Sequence, residues 1–286
     1  MNLKERLALI KSEKIKKNTL ASKERNMPEN WHNILPYVWT REIQGPIFIV
    51  PPFFYPCIIR PVHLSETERN IDSEAPAFQI PADKIVFFDL ETTGLSGGAG
   101  TLAFLSTTAR FEGRNLILNQ VFLEDYPGER DFLSVVISQL IPLLQSRCIL
   151  NGIIMPARLH IDVLHDCRRF WGKIFDSCSL ASMERFVLKI TREFDIPGAE
   201  IPKVWLDYVK SDSLNENQKA LMGMVWQHNI MDVVSLAKLF FRTESAYRDP
   251  YKAVIEDAVD PLGLVHRLCK LGRLEDAKSL LYMIYR

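Results

Sequence analysis

The chain has 286 residues, 47% of them hydrophobic, and its 35 basic residues balance 35 acidic ones. This length and apolar fraction suit one sizeable globular core with appendages. The zero formal net charge excludes a strong overall field for polyanions and leaves a local basic groove as the route to nucleic acid. The five cysteines, Cys57, Cys148, Cys167, Cys178 and Cys269, contain no CxxC pair, which excludes a zinc knuckle and predicts reduced thiols in a cytoplasmic setting. The N-terminus lacks the apolar core of a secretion signal and no apolar run reaches membrane-spanning length, so a soluble protein with no membrane partner is expected.

Residues 1–26 form a basic, helix-favouring leader in which Leu3, Leu7 and Ile10 make a narrow apolar stripe. Its lysines Lys11, Lys14, Lys16 and Lys17 offer contacts to phosphate, and a solvated leader accounts for the same pattern. Residues 27–83 hold Trp31, Trp39, Phe48, Phe53, Phe54 and Tyr55 among Pro46, Pro51, Pro52, Pro56 and Pro61. The aromatics need burial and the prolines argue against long regular elements. An extended segment wrapped on a main domain is therefore expected, with 1–83 standing apart from it.

From Lys84 an apolar run reads as a strand that ends in Asp89 and Glu91, followed by Thr92-Thr93-Gly94. Strand side chains alternate, so the two acids share one face, and Val86, Phe88 and Leu90 are expected to turn into a core from the other. The strand is expected at the centre of its sheet. Two like charges on one face call for a cation, and hard divalent ions such as Mg2+ or Mn2+ take oxygen ligands. Two solvated acids at a strand end make the plainer alternative. The glycine-rich exit Ser96-Gly97-Gly98-Ala99-Gly100-Thr101 favours a site, because it lets another molecule approach the backbone closely.

Thr101–Phe111 and Asn115–Glu124 read as two further strands joined by a hairpin through Glu112-Gly113-Arg114. Residues 130–146 carry Phe132, Val135, Val136, Leu140 and Leu143 at helical spacing, and Arg147–Leu150 reads as a short buried strand before Asn151-Gly152. A helix capped by Ser179 is expected over Ser179–Ile190, a loop over Asp195–Asp207, and the longest helix over Asn215–Phe241. On that helix Leu221, Val225, Leu236 and Leu239 fall on one face, and His228 and Asp232, four apart, share it. An ionised Asp in such a stripe is expensive unless paired or metal-bound. The fold class that results is α/β: a mixed sheet, an antiparallel meander then parallel strands, flanked by helices. Residues 251–286 form a separate helical tail, with Leu264, Leu268, Leu271-Gly272, Ala277 and Leu280 spaced like one tetratricopeptide helix pair.

Phe88-Asp89-Leu90-Glu91-Thr92-Thr93-Gly94-Leu95 resembles the first motif of the DEDD 3′–5′ exonucleases, which have a ribonuclease-H-like fold. With Ser96–Thr101, His160-Ile161-Asp162-Val163-Leu164-His165, Pro197-Gly198-Ala199-Glu200-Ile201-Pro202 and His228-Asn229-Ile230-Met231-Asp232, the ordered set is similar to the bacterial YprB-like branch. The resemblance covers residues 84–242, with a weaker echo of a tetratricopeptide-like tail. It implies a magnesium- or manganese-dependent exonuclease that hydrolyses phosphodiester bonds at the ends of single-stranded DNA or RNA. Asp89, Glu91 and Asp232 would be metal ligands, and His228 the base that activates or orients water. Two cations about 3.5–4 Å apart stabilise both the attacking and the leaving oxygen in such chemistry. Arg110, Arg114, Arg168 and Arg169 are the candidates for phosphate contact, and the C-terminal helices for a protein partner.

The sequence departs from the family at one place. The family carries a further acid in an Asn-Gly-x-x-Phe-Asp pattern, whereas Ile153-Ile154-Met155-Pro156 follows Asn151-Gly152 here, and none of the seven residues between Gly152 and His160 is acidic. Asp162 is the next acid in the chain. The alternative is therefore a catalytically impaired ribonuclease-H-like protein that binds nucleic acid or serves as a scaffold.

Overall fold

The computed structural model describes residues 27–54, 60–61, 80–94, 101–139 and 159–285. The leader, the glycine loop 95–100 and the segment 140–158, with its expected parallel strand and its departure from the family pattern, lie outside the described residues. Five strands make the main sheet: β1 (His32–Leu35), β2 (Val38–Ile47), β3 (Val86–Thr92), β4 (Ala103–Glu112) and β5 (Asn115–Leu123). Their order is β1-β2-β5-β4-β3, and every neighbouring pair is antiparallel. The expected hairpin is present: Glu112 pairs with Asn115 and leaves Gly113-Arg114 as the turn. Gly113 takes φ +62°, which a residue without Cβ adopts freely.

The expectations for the N-terminal segment and for the faces of β3 fail. The segment after residue 27 is not merely extended, since β2 runs ten residues and pairs with β5 along its length. Pro46 is tolerated because the register shifts between Gln44 and Ile47, a bulge that spares the ladder the missing N–H. Among the described strands the acid-bearing strand β3 pairs with β4. Its faces also differ from expectation. Phe87, on the acids' face, is buried at 4% exposure, while Val86 is 37% exposed.

Eight α-helices follow among the described residues: α1 (Glu129–Gln139), α2 (Val163–Trp171), α3 (Leu180–Met183), α4 (Ile201–Lys210), α5 (Glu216–Arg248), α6 (Pro250–Glu256), α7 (Pro261–Lys270) and α8 (Leu274–Ile284). Ser179 caps α3 as expected, and the helix continues as a π-helical turn over Glu184–Leu188. The expected loop 195–207 is half helix, because Pro202 sits in the first turn of α4, where its missing N–H costs nothing. Helix α5 starts at a capping box in which Asn215 and Gln218 bond reciprocally.

Helix α5 ties two hydrophobic clusters together. Met222, Val225 and Trp226 join Trp31, Phe122, Phe132 and Trp205 in one. Ile230, Val233, Ala237 and Phe240 join Phe87, Phe111, Phe170 and Leu268 in the other. Leu221 and Leu236, expected on the core face, are only partly buried; the buried stripe runs through Met222, Val225, Asn229 and Val233 instead. Overall this is an α/β sheet flanked by helices with a helical C-terminal region, consistent with the expected ribonuclease-H-like class.

Candidate functional site

The site forms where α5 crosses the end of β3, between the two clusters. Because α5 covers the odd-numbered face of β3, Phe87 packs its ring on Phe111 and Phe240, and Asp89 and Glu91 meet the helix beyond it. Glu91, His228 and Asp232 offer ligand atoms that all lie within 4.8 Å of one another. His228 and Asp232 are one turn apart on α5, with Nε2 at 3.6 Å from Oδ2. At the exit of β3, the Thr93 N–H bonds the Leu102 carbonyl at 2.8 Å, and the Leu102 N–H returns a bond to Thr93 Oγ1 at 3.0 Å. These bonds tie the exit of β3 to the residue that precedes β4.

Asp89 stands next to that group, held by Asn229, whose amide donates to Asp89 Oδ2 at 2.6 Å. Asn229 is fully buried, and its carbonyl oxygen accepts from Thr107 Oγ1 and from Gln120 Nε2. Gln120 also donates to the Trp226 carbonyl and accepts from Arg41 Nε at 2.8 Å. The Arg41 guanidinium lies 4.5 Å from the Trp31 ring centroid, a cation–π contact. Burial pushes its pKa down to about 10. A continuous polar path thus runs from β2 through β5 to Asp89. It fixes which way the Asn229 amide faces, since its oxygen is already used by two donors.

A second group approaches from the segment after the π-helical turn. Arg192 Nε donates to both Glu184 oxygens at 3.1 and 2.9 Å. Its Nη1 reaches Asp195 Oδ2 at 3.2 Å, and its Nη2 bonds Glu184 and Asp232 Oδ1. Asp195 Oδ1 in turn lies 2.8 Å from His228 Nδ1. Burial alone would lower the Arg192 pKa, but the carboxylates of Glu184 and Asp232 outweigh it and hold the guanidinium above its ordinary value.

The electrostatics of the acids call for positive charge. Burial, then the charge of Asp232, raises the Asp89 carboxyl to about 6 against the hydrogen bond from Asn229. Burial, then Asp89 and Asp232, raises Glu91 to about 8. Asp232 is also raised by burial, with His228 and Arg192 opposing. Carboxylate oxygens with one imidazole, all three acids raised by burial and Asp89 and Glu91 raised further by neighbouring carboxylates, are a donor set that fits a hard divalent cation. Arg192 answers this need at Asp232 and leaves Asp89 and Glu91 without a cation of their own among the described contacts.

All four residues singled out from the sequence, Asp89, Glu91, His228 and Asp232, therefore meet in one place. Asn229, Arg192 and Asp195 join them without having been singled out. Asn229 had a readable signal, a polar residue in the apolar stripe of a long helix. Arg192 and Asp195 had none, because the segment between Leu188 and Ile201 shows no periodicity. Asp162 serves another purpose: it caps α2 by accepting from the Leu164 N–H at 3.0 Å. Arg110 pairs with Glu112 at 2.7 Å on the strand position opposite Val86, at the other end of β3 from Glu91. Arg169 pairs with buried Asp166.

The chain is 33% identical over 175 residues to the uncharacterized protein YprB of Bacillus subtilis (strain 168), an alignment covering 55% of this chain and 41% of that relative. The chain thus spans about two fifths of that relative's length. A family profile described as RNase_H superfamily matches residues 86–243, from the first residue of β3 to well within α5. Matched over more than half its length, the chain belongs to the RNase_H superfamily, which supports a nuclease or nucleic-acid-related function for it.

Proposed function

We propose that this protein is a metal-dependent nuclease of the 3′–5′ exonuclease type, hydrolysing phosphodiester bonds at the ends of single-stranded DNA or RNA. The observation that carries the reading is the gathering of Glu91, His228 and Asp232 within 4.8 Å, with Asp89 beside them. In this reading Asp89, Glu91 and Asp232 hold Mg2+ or Mn2+. When bound, the ion polarises the phosphate and acidifies a bound water. His228 would be the base, accepting a proton from the attacking water through Nε2, the ring nitrogen that faces Asp232. Asn229 would keep Asp89 aimed at the site by its bond to Oδ2. The unit that carries this chemistry is 84–242, supported by the preceding strands, with 251–286 as a tetratricopeptide-like pair for a protein partner. No helix among the described residues is long and apolar enough to cross a membrane. The cysteines described, Cys167, Cys178 and Cys269, are all free thiols, and a cytoplasmic site of action is part of the proposal.

The test is incubation of the purified protein with end-labelled single-stranded DNA and RNA, with and without manganese. Stepwise shortening that needs the metal and disappears in Asp89→Ala is expected. Shortening that survives Asp89→Ala sinks the reading. The Arg192–Asp232 ion pair favours one second reading, a protein that binds nucleic acid without cutting it, because an arginine already neutralises one of the acids. Salt-dependent oligonucleotide binding with no metal-dependent shortening would select that alternative.

A further inference from the structure

We propose that the segment Lys189–Ile196 is a working part of the site, in which Asp195 is the positioning residue for His228 and Arg192 holds Asp195 and Asp232 in place. The inference rests on the reading of His228 given above and adds two residues to it.

The backbone supplies the first observation. Lys189 (φ +58°) and Phe194 (φ +57°) both adopt the left-handed region, which is costly for residues with long or bulky side chains. Such conformations persist where the surroundings over-determine them, and they collect at functional sites. Here the second turn separates the side chains. Phe194 stands 90% exposed, while Arg192, two residues earlier, and Asp195, one later, point into the acid cluster.

The contacts supply the second. The Arg192 side chain is only 11% exposed and serves three carboxylates, from the π-helical turn, from its own segment and from α5. Glu184, its anchor, is 3% exposed. A solvated surface ion pair would not be buried in this way. Asp195 is fully engaged: Oδ1 accepts from the Ile196 N–H at 2.9 Å and meets His228 Nδ1, and Oδ2 accepts from Arg192.

The chemistry follows from the donor inventory. A carboxylate only accepts, so the nitrogen facing Asp195 carries the hydrogen, and in the neutral ring Nε2 is left bare. That bare nitrogen faces Asp232 and the acids. Asp195 thus selects the tautomer in which His228 can accept a proton at the site, and Arg192 keeps the carboxylate turned toward the ring.

The experiment compares the 286-residue protein with Asp195→Ala, Asp195→Asn and Arg192→Lys. Long-range proton–nitrogen NMR on histidine-labelled protein reads the His228 tautomer, its signal assigned by loss in His228→Gln. The unsubstituted protein should show Nδ1 protonated and Nε2 bare. Asp195→Ala should shift His228 toward the Nε2–H form, and Asp195→Asn, which keeps an accepting oxygen, should restore the original pattern. With manganese and a labelled single-stranded oligonucleotide, Asp195→Ala should lower kcat by about 10²–10⁴ with KM changed less than about threefold. Arg192→Lys should lie between the two. An unchanged tautomer in a folded Asp195→Ala protein overturns the inference, as does an unchanged kcat. Absence of metal-dependent cleavage in the unsubstituted protein would instead defeat the proposed activity, while the NMR arm still decides whether Asp195 holds His228.

Discussion

At the scale of single residues, the raised acids make the site sensitive to pH. A carboxyl whose folded pKa lies above its unfolded value stabilises the fold only while protonated. Its contribution is complete below the unfolded pKa and is lost as pH rises through the folded one. With Asp89 near 6 and Glu91 near 8, metal-free protein should lose thermal stability as pH climbs from about 4 to about 8. Glu91→Gln should flatten the upper part of that slope, between about pH 6 and 8. A divalent ion competes with these protons, so added manganese should raise the melting temperature more at pH 8 than at pH 5. A wild-type profile that matches Glu91→Gln across the window would contradict the assignment. Asn229 offers a second test. Its replacement by alanine strips a partner from buried Thr107, Gln120 and Asp89 at once, and unmet buried polar groups cost about 1–3 kcal/mol each. A loss of about 2–4 kcal/mol in urea unfolding is expected after partial relaxation. Asn229→Asp sets a like charge against Asp89 and should be worse at pH 8 than at pH 5.

At the scale of elements, the acids on β3, the β4–β5 hairpin and the long helix were legible because each combines a period with a terminator. Alternation gave Asp89 and Glu91 one face, and 3.6-residue spacing put His228 and Asp232 on one stripe. What failed lay where a local rule met a tertiary exception. Pro46 marks a break in isolation and a bulge in the sheet. Pro202 marks a loop in isolation and a helix start in context. The orientation of β3 was misread because alternation says which residues share a face but not which face a helix covers. Once α5 must bring His228 and Asp232 to the acids, its apolar residues must cover the acids' face, and Phe87 becomes the buried neighbour. The start of α5 is testable by itself. Asn215→Ala removes the side-chain acceptor for the Gln218 N–H and should cost about 1 kcal/mol by thermal unfolding, while Asn215→Asp should be nearly neutral. Equal losses in the two variants would argue against the capping box.

At the scale of the whole molecule, the question is whether the C-terminal helices stand apart. Their sequence marks residues 251–286 as a separate piece, yet the contacts bind them to the sheet-bearing body. Leu264, Leu268, Ala277 and Leu280 share one cluster with Phe87, Trp171 and Val233. The Asp260 N–H donates to the Phe170 carbonyl at 2.7 Å, and Trp171 Nε1 to the Asp257 carbonyl at 3.1 Å. Buried Asp166 accepts from the Tyr247 hydroxyl at 2.9 Å, which locks α2 against the end of α5. Helix α7 comes so close to α2 that a Cβ on Gly263 would run into the Arg169 carbonyl oxygen. Backbone cannot retreat as a side-chain tip can, so Gly263→Ala must push α7 away and open the shared cluster. A single cooperative transition is therefore expected for the unsubstituted protein, with far-UV circular dichroism and tryptophan fluorescence coincident. Leu268→Ala should lower that one midpoint by the equivalent of about 2–5 kcal/mol. Gly263→Ala should separate the two signals, because it loosens α7 from α2 without emptying the core beneath α5. Two transitions in the unsubstituted protein would mean that the helical tail is held more weakly than its shared core implies.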